Sequence, residues 1–271
     1  DTLLLVHMKE ITLFFVVGII TLLGGLYALT EGHMAPVPGL GMILGVAAIL
    51  QWWVAIRLQI VWSGMAPAQR AANPVLNQIR WLFTFGAIFA TLDLFPHVIL
   101  VMAGFSESTV TLAHWVTHLF LFIYLIIGAR MAVMFFNPKW KNYVTGFVVL
   151  VSLAALAVST MRPDYLSNVP GSAYPFVSSD ALYAMFNMIS NVTSVGIFGL
   201  YLIFMGLFRR VDFTVRVRAI LMGVGFQGLI ALGFFIHYSH SQYTAIMIYI
   251  SVIVWALLTG LSALYAAHWR A

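Results

Sequence analysis

The feature that most limits this chain is a series of long, nearly unbroken apolar runs. Eight can be marked, at 10–30, 39–62, 78–104, 109–136, 142–161, 180–208, 214–237 and 243–269. About 20 apolar residues are enough for a helix to cross the ~30 Å hydrocarbon core of a bilayer, and every run reaches that length. The runs do not alternate with a period of two, so they favour helices over the strands of a membrane barrel. Turn-forming residues separate them, among them Pro36 and Pro38, Pro67 and Pro74, and Asn137-Pro138. The longest break, Arg162 to Ser179, carries Pro163, Pro170, Gly171 and Pro175. The expected fold class is therefore all-α: a polytopic bundle of about eight transmembrane helices forming one domain over 1–271.

Composition agrees and excludes other classes. Apolar residues make up 62% of the chain and charged residues 8%, against roughly 45–50% and 25% in an average soluble domain. A soluble globule needs more surface charge, and disorder needs low hydrophobicity. The net charge of +5 comes from residues strung along the helix ends, so no nucleic-acid partner is expected. Cysteine is absent, which removes disulfides, iron–sulfur clusters and covalently attached haem from consideration.

The cations orient the bundle. With the loops numbered alternately, twelve of the thirteen Lys and Arg residues, from Lys9 to Arg270, fall on one side, and only Arg162 falls on the other. Positive charge marks the cytoplasmic side. Both termini are expected there, in a membrane read as the bacterial cytoplasmic (inner) membrane. Small residues at helical spacing, such as Gly41 with Gly45 and Gly223 with Gly225 and Gly228, suit close helix contacts. The tryptophans fall mostly toward helix ends and fit an interfacial belt.

The histidines are the sharpest local feature. His33, His97, His114, His118, His237 and His240 all fall in the half of the bundle away from the cations. Asp93 and His97 are four residues apart on the third run, as are His114 and His118 on the fourth; such pairs share a helix face. The two runs are joined by only Phe105 to Ser108, so they are expected to be antiparallel neighbours with both pairs at one level. Asp93 is the one acidic residue well inside a run, and an ionisable residue there is expensive enough to mark function. Pro96 frees a backbone carbonyl at the same level. Asp93, His97, His114 and His118 are thus candidate metal ligands, and His97, His114, His118 and His237 candidate cofactor ligands.

Imidazoles with one carboxylate suit a copper, iron or zinc ion, and imidazoles from facing helices suit a b-type haem. His114 and His118 lie one turn apart on one face, so they cannot be the two axial ligands of one haem. On the sixth run Asn187, Ser190, Asn191, Thr193 and Ser194, with Gln227 on the seventh, are expected to line a small polar cavity or to bond between helices.

The expected function is a membrane-embedded metal- or haem-binding redox subunit of a larger complex. Its partners would be the lipid bilayer, other membrane subunits or a second copy, and a quinone or small molecule. Two alternatives accompany it: a sensor or ligand-binding bundle with a histidine proton network, and a pigment-binding or structural subunit. A transporter is disfavoured by the lack of an inverted repeat.

Overall fold

The computed structural model describes residues 36–168, 173–210, 212–237 and 242–262. Among them six helices are long and apolar enough to cross a membrane, and they match the runs from the second to the seventh. We label the elements α1 (Pro36–Gly64), α2 (Pro67–Ala72), α3 (Pro74–Met102), α4 (Glu107–Phe136), α5 (Lys141–Met161), β1 (Tyr165–Ser167), β2 (Phe176–Ser178), α6 (Ala181–Phe208), α7 (Phe213–His237) and α8, which begins as Gln242–Ile253. The expected first span, 10–30, lies outside the described residues, as does the last part of the eighth.

Local chemistry explains the boundaries. Pro67 and Pro74 each stand at the start of a helix, where the missing N–H would have had no partner. The long break holds more than a loop: β1 and β2 pair antiparallel, with Leu166 opposite Val177. The turn between α3 and α4 is a Schellman motif. Gly104 adopts φ 71°, Gly104 N donates to Val101 O at 3.2 Å, and Phe105 N donates to Leu100 O at 3.0 Å. These two bonds satisfy carbonyls that a helix end leaves bare and turn the chain back within four residues.

Short connections make successive helices antiparallel. α1 packs on α3, α3 on α4, α4 on the middle of α6, α6 on α7, α7 on α8, and α8 back on α1, closing a ring. α5 packs against α4 and α6 with a narrow stripe of Val148, Ser152, Ala155 and Ser159. Its remaining surface shows large apolar side chains such as Leu150 and Leu153.

Polar residues lie inside among apolar ones, and large apolar side chains cover the outside. Gln51, Asn187, Ser190, Asn191, Ser194 and Thr259 are buried, while Ile49, Leu200 and Phe204 are exposed. A helical bundle with that inside-out pattern is an integral membrane protein in contact with lipid. Trp255 departs from the interfacial belt: it is buried and its Nε1 donates to the Tyr124 hydroxyl at 3.3 Å.

Close helix approach rests on glycine where the sequence spacing placed it. A Cβ on Gly223 would stand 2.6 Å from Gly199 O, and one on Gly228 would stand 2.6 Å from Trp255 N. Gly41 is tight against Val98, but Gly45 has open space where a Cβ would go. Gly104 also has open space, so substitution there meets only backbone strain. Gly104→Ala should cost about 1 kcal/mol, read as a lower thermal midpoint in detergent. Gly45→Ala should leave the midpoint unchanged or raise it.

Candidate functional site

The α3–α4 hairpin brings the expected residues together. α3 is not a plain helix near its end: Phe95–Ile99 forms a π turn that contains Pro96 and His97. Proline has no N–H for the Leu92 carbonyl one turn earlier. That oxygen instead accepts from Phe95 N and from the Thr117 hydroxyl of α4, 3.3 Å away. Thr117 shares its single hydrogen with its own Ala113 carbonyl at 3.0 Å. The freed carbonyl is thus used as a tie between the two helices.

Asp93 ends the regular part of α3 and His97 sits in the π turn, with His97 Nε2 3.4 Å from Asp93 Oδ1. His114 and His118 occupy the third and fourth turns of α4. The His97 and His114 rings meet edge to face with centroids 4.9 Å apart, and those of His114 and His118 with centroids 4.1 Å apart. All four side chains are at least nine-tenths buried. Asp93, His97, His114 and His118 therefore form one cluster, with His97 about 8 Å and Asp93 about 14 Å from the end of α3 at a rise of 1.5 Å per residue. His237 closes α7, and its side chain, like His33 and His240, lies outside the described residues.

Two imidazoles have their Nδ1 fixed. His114 Nδ1 is 2.7 Å from Asp164 Oδ2, and His118 Nδ1 is 2.9 Å from the His114 carbonyl oxygen. A carbonyl can only accept, so His118 Nδ1 carries hydrogen and its Nε2 holds the lone pair. The carboxylate imposes the same tautomer on His114. Metal-ligating histidines are held in this way, with the far N–H on a carboxylate or a backbone carbonyl. Among the described residues, however, no three His, Asp or Glu side chains converge tightly enough to enclose a metal ion as they stand.

Asp164 was not among the expected residues. It lies between α5 and β1, and the strand pair holds it over the cluster. Leu166 N donates to Glu107 Oε1 at 2.9 Å, tying β1 to the start of α4. β2 packs on the π turn of α3, with Phe176, Val177 and Ser178 buried. One sequence signal pointed that way: five of the eight acidic residues (Glu31, Asp93, Glu107, Asp164 and Asp180) fall on the side of the histidines. Tyr183 was missed too; its ring stands edge to face on His118 at 5.2 Å.

α6 completes the site. Asp180 caps its first turn, accepting from Leu182 N at 2.8 Å, and meets Arg162 at 3.3 Å. That backbone bond, with the guanidinium beside it, holds the Asp180 carboxyl below its ordinary range. Tyr183, Asn187 and Asn191 recur every four residues on the buried face of α6. A cavity of about 20 Å³ lies between Asp93, His97, His118, Asn187, Asn191 and apolar walls that include Phe89 and Leu229. Ser190 and Ser194 of α6 and Gln227 of α7 bond between helices. Ser190 meets Ser152 at 3.4 Å, Ser194 donates to the Leu125 carbonyl, and Gln227 Nε2 donates to Gly196 O at 3.0 Å. Gln227 therefore does not join the cavity wall.

Comparison with family models, curated proteins and solved structures found no match.

Asp164→Leu should cost about 1–3 kcal/mol, the penalty for a buried donor left without its acceptor. Nitrogen NMR of labelled histidine should show the His114 proton leaving its fixed Nδ1 position. The Asp180 cap stabilises the fold while ionised. Its contribution is present at neutral pH and is lost as pH falls through the lowered pKa. Asp180→Asn, which keeps an accepting oxygen, should abolish that acid sensitivity of the thermal midpoint while preserving the cap.

Proposed function

We propose that the protein is a metal-binding subunit of a membrane redox complex. A copper, iron or zinc ion would be held by His97, His114 and His118, with Asp93 beside them. The observation that supports this most is the orientation of the rings: Asp164 and the His114 carbonyl take the Nδ1 hydrogens of His114 and His118, leaving Nε2 as the basic nitrogen of each. Imidazoles sharing one ion at Zn–N distances of ~2.0–2.1 Å have centroids about 5 Å apart. The His97–His114 pair stands at 4.9 Å, whereas the His114–His118 pair stands at 4.1 Å. Taking up an ion then asks the His118 ring to move by roughly 1 Å on the same geometry.

A bare ion suits these residues better than a b-type haem. The cavity of about 20 Å³ beside the rings has room for a water-sized species and none for a macrocycle. A copper or iron ion would exchange electrons with a partner subunit or a quinone, and a zinc ion would polarise a bound small molecule. This reading includes the two further spans that bring the total to eight, both chain ends on the cationic side, and residence in a bacterial cytoplasmic membrane. The cations support it: Arg57, Arg70, Arg80, Arg130, Arg209 and Arg216 lie toward one end of the described bundle, opposite the histidines.

A second reading, a histidine network that senses protons or a ligand, is favoured by one observation. The cluster is already internally bonded, and among the described residues no three donors close on a metal position as they stand.

Metal content of the untagged protein purified in mild detergent separates the two. Stoichiometric copper, iron or zinc is expected. His97→Ala and His114→Ala should each lower it at least tenfold while the protein stays folded and inserted. Full retention in both variants, or a well-folded wild type without metal, overturns the metal reading, and the metal-free result promotes the network. Magnesium in a coloured ring would point to a pigment instead.

A further inference from the structure

We infer that the ion's open coordination position faces α6, and that the ligand bound there is a water-sized oxygen species carrying its own hydrogen, water or hydroxide. This rests on the metal reading above and adds which side of the cluster is chemically open and what it accepts.

The cavity wall decides the chemistry. On one side stand Asp93, His97 and His118; on the other stand Asn187 and Asn191 of α6 and Gly233 of α7. Two buried polar atoms on this wall make no hydrogen bond: His97 Nε2, which has only the 3.4 Å approach to Asp93, and Asn191 Oδ1. Their residues are 4% and 2% exposed. An unpaired polar atom in such surroundings costs about 1–3 kcal/mol, so the arrangement is complete only with something between them.

The orientation of the Asn191 amide is fixed. Its Nδ2 lies 2.9 Å from the Asn187 backbone oxygen and 2.9 Å from Asn187 Oδ1. A backbone carbonyl only accepts, so the nitrogen must be on that side. Asn191 therefore turns a lone pair toward the cavity, where the Asp93 carboxylate also lies. An occupant between an ion and these acceptors must give its lone pair to the ion and its hydrogen to Asn191. Water and hydroxide do both. Dioxygen and carbon monoxide have no hydrogen to give.

Size agrees. A water needs roughly 10–15 Å³ of such space and two to four polar partners, and the cavity offers about 20 Å³. Catalytic metal sites characteristically keep one position for water.

Copper(II) is the probe, because it binds nitrogen donors more tightly than the other divalent ions of its row. The full chain in detergent is loaded with copper(II), exchanged into deuterated water and examined by pulsed electron paramagnetic resonance. The wild type should show deuterons of a directly bound water. Asn191→Leu should lose the acceptor, and Gly233→Ala should fill the cavity. A Cβ at 233 would stand 3.6 Å from Asn191 Nδ2 and from Met188 Sδ, ordinary contact that leaves the fold intact.

Both variants should keep one copper per chain and lose at least nine-tenths of the bound-water signal. Copper retained with an undiminished water signal in Gly233→Ala overturns the inference and leaves the metal reading standing. A copper-loaded wild type without bound water does the same. A wild type that binds no copper overturns both.

Discussion

A polar group inside an apolar bundle costs several kcal/mol unless it is bonded, and that penalty arranges the interior of this protein. It explains why helices cross the membrane and why Thr117 turns to the Leu92 carbonyl exposed by Pro96. It explains why Ser194 reaches the backbone of α4 and why Asn187 and Asn191 bond to one another. The histidines of α4 obey it too, Nδ1 of His114 finding a carboxylate and Nδ1 of His118 a carbonyl. Among the atoms that escape it, His97 Nε2 and Asn191 Oδ1 stand out by their place. They belong to different helices and share one small cavity.

The cluster depends on a hairpin. Gly104 allows α3 to reverse into α4 in four residues, and the i, i+4 pairs on each helix then meet across the seam. α6 supplies the opposite wall, and β1 and β2 supply the cover. Three kinds of element thus contribute: two helices joined by a tight turn, a third helix distant in sequence, and a short strand pair outside the spans.

The spans were legible in the sequence because an apolar run of membrane length has few other solutions. The meeting of Asp93, His97, His114 and His118 was legible because helix periodicity and a short connection together leave little freedom. Asp164 was not, because its position depends on how a proline-containing loop folds back, and three-residue strands such as Tyr165–Ser167 carry almost no local signal. Of the two places expected for Gln227, the cavity or a bond between helices, it takes the second, at Gly196. The π turn at Val192–Gly196 changes which residues of α6 face α7, and nothing in that sequence announces it. Trp255 lies near the middle of the eighth run rather than at an end, and it fills the interior beside Tyr124.

The π turn at Phe95–Ile99 makes α3 one residue longer than a regular helix covering the same height. Each residue of an α-helix advances by about 100° around the axis. Removing a single residue here would convert the wide turn to an ordinary one and swing all that precedes it by that angle relative to the Gly104 turn. Asp93 would then turn away from the face it presents to His114 and His118 of α4, although none of the three had been touched. In this stretch the spacing of the chain is itself part of the chemistry, and relatives of this protein should vary in side chains around it before they vary in length.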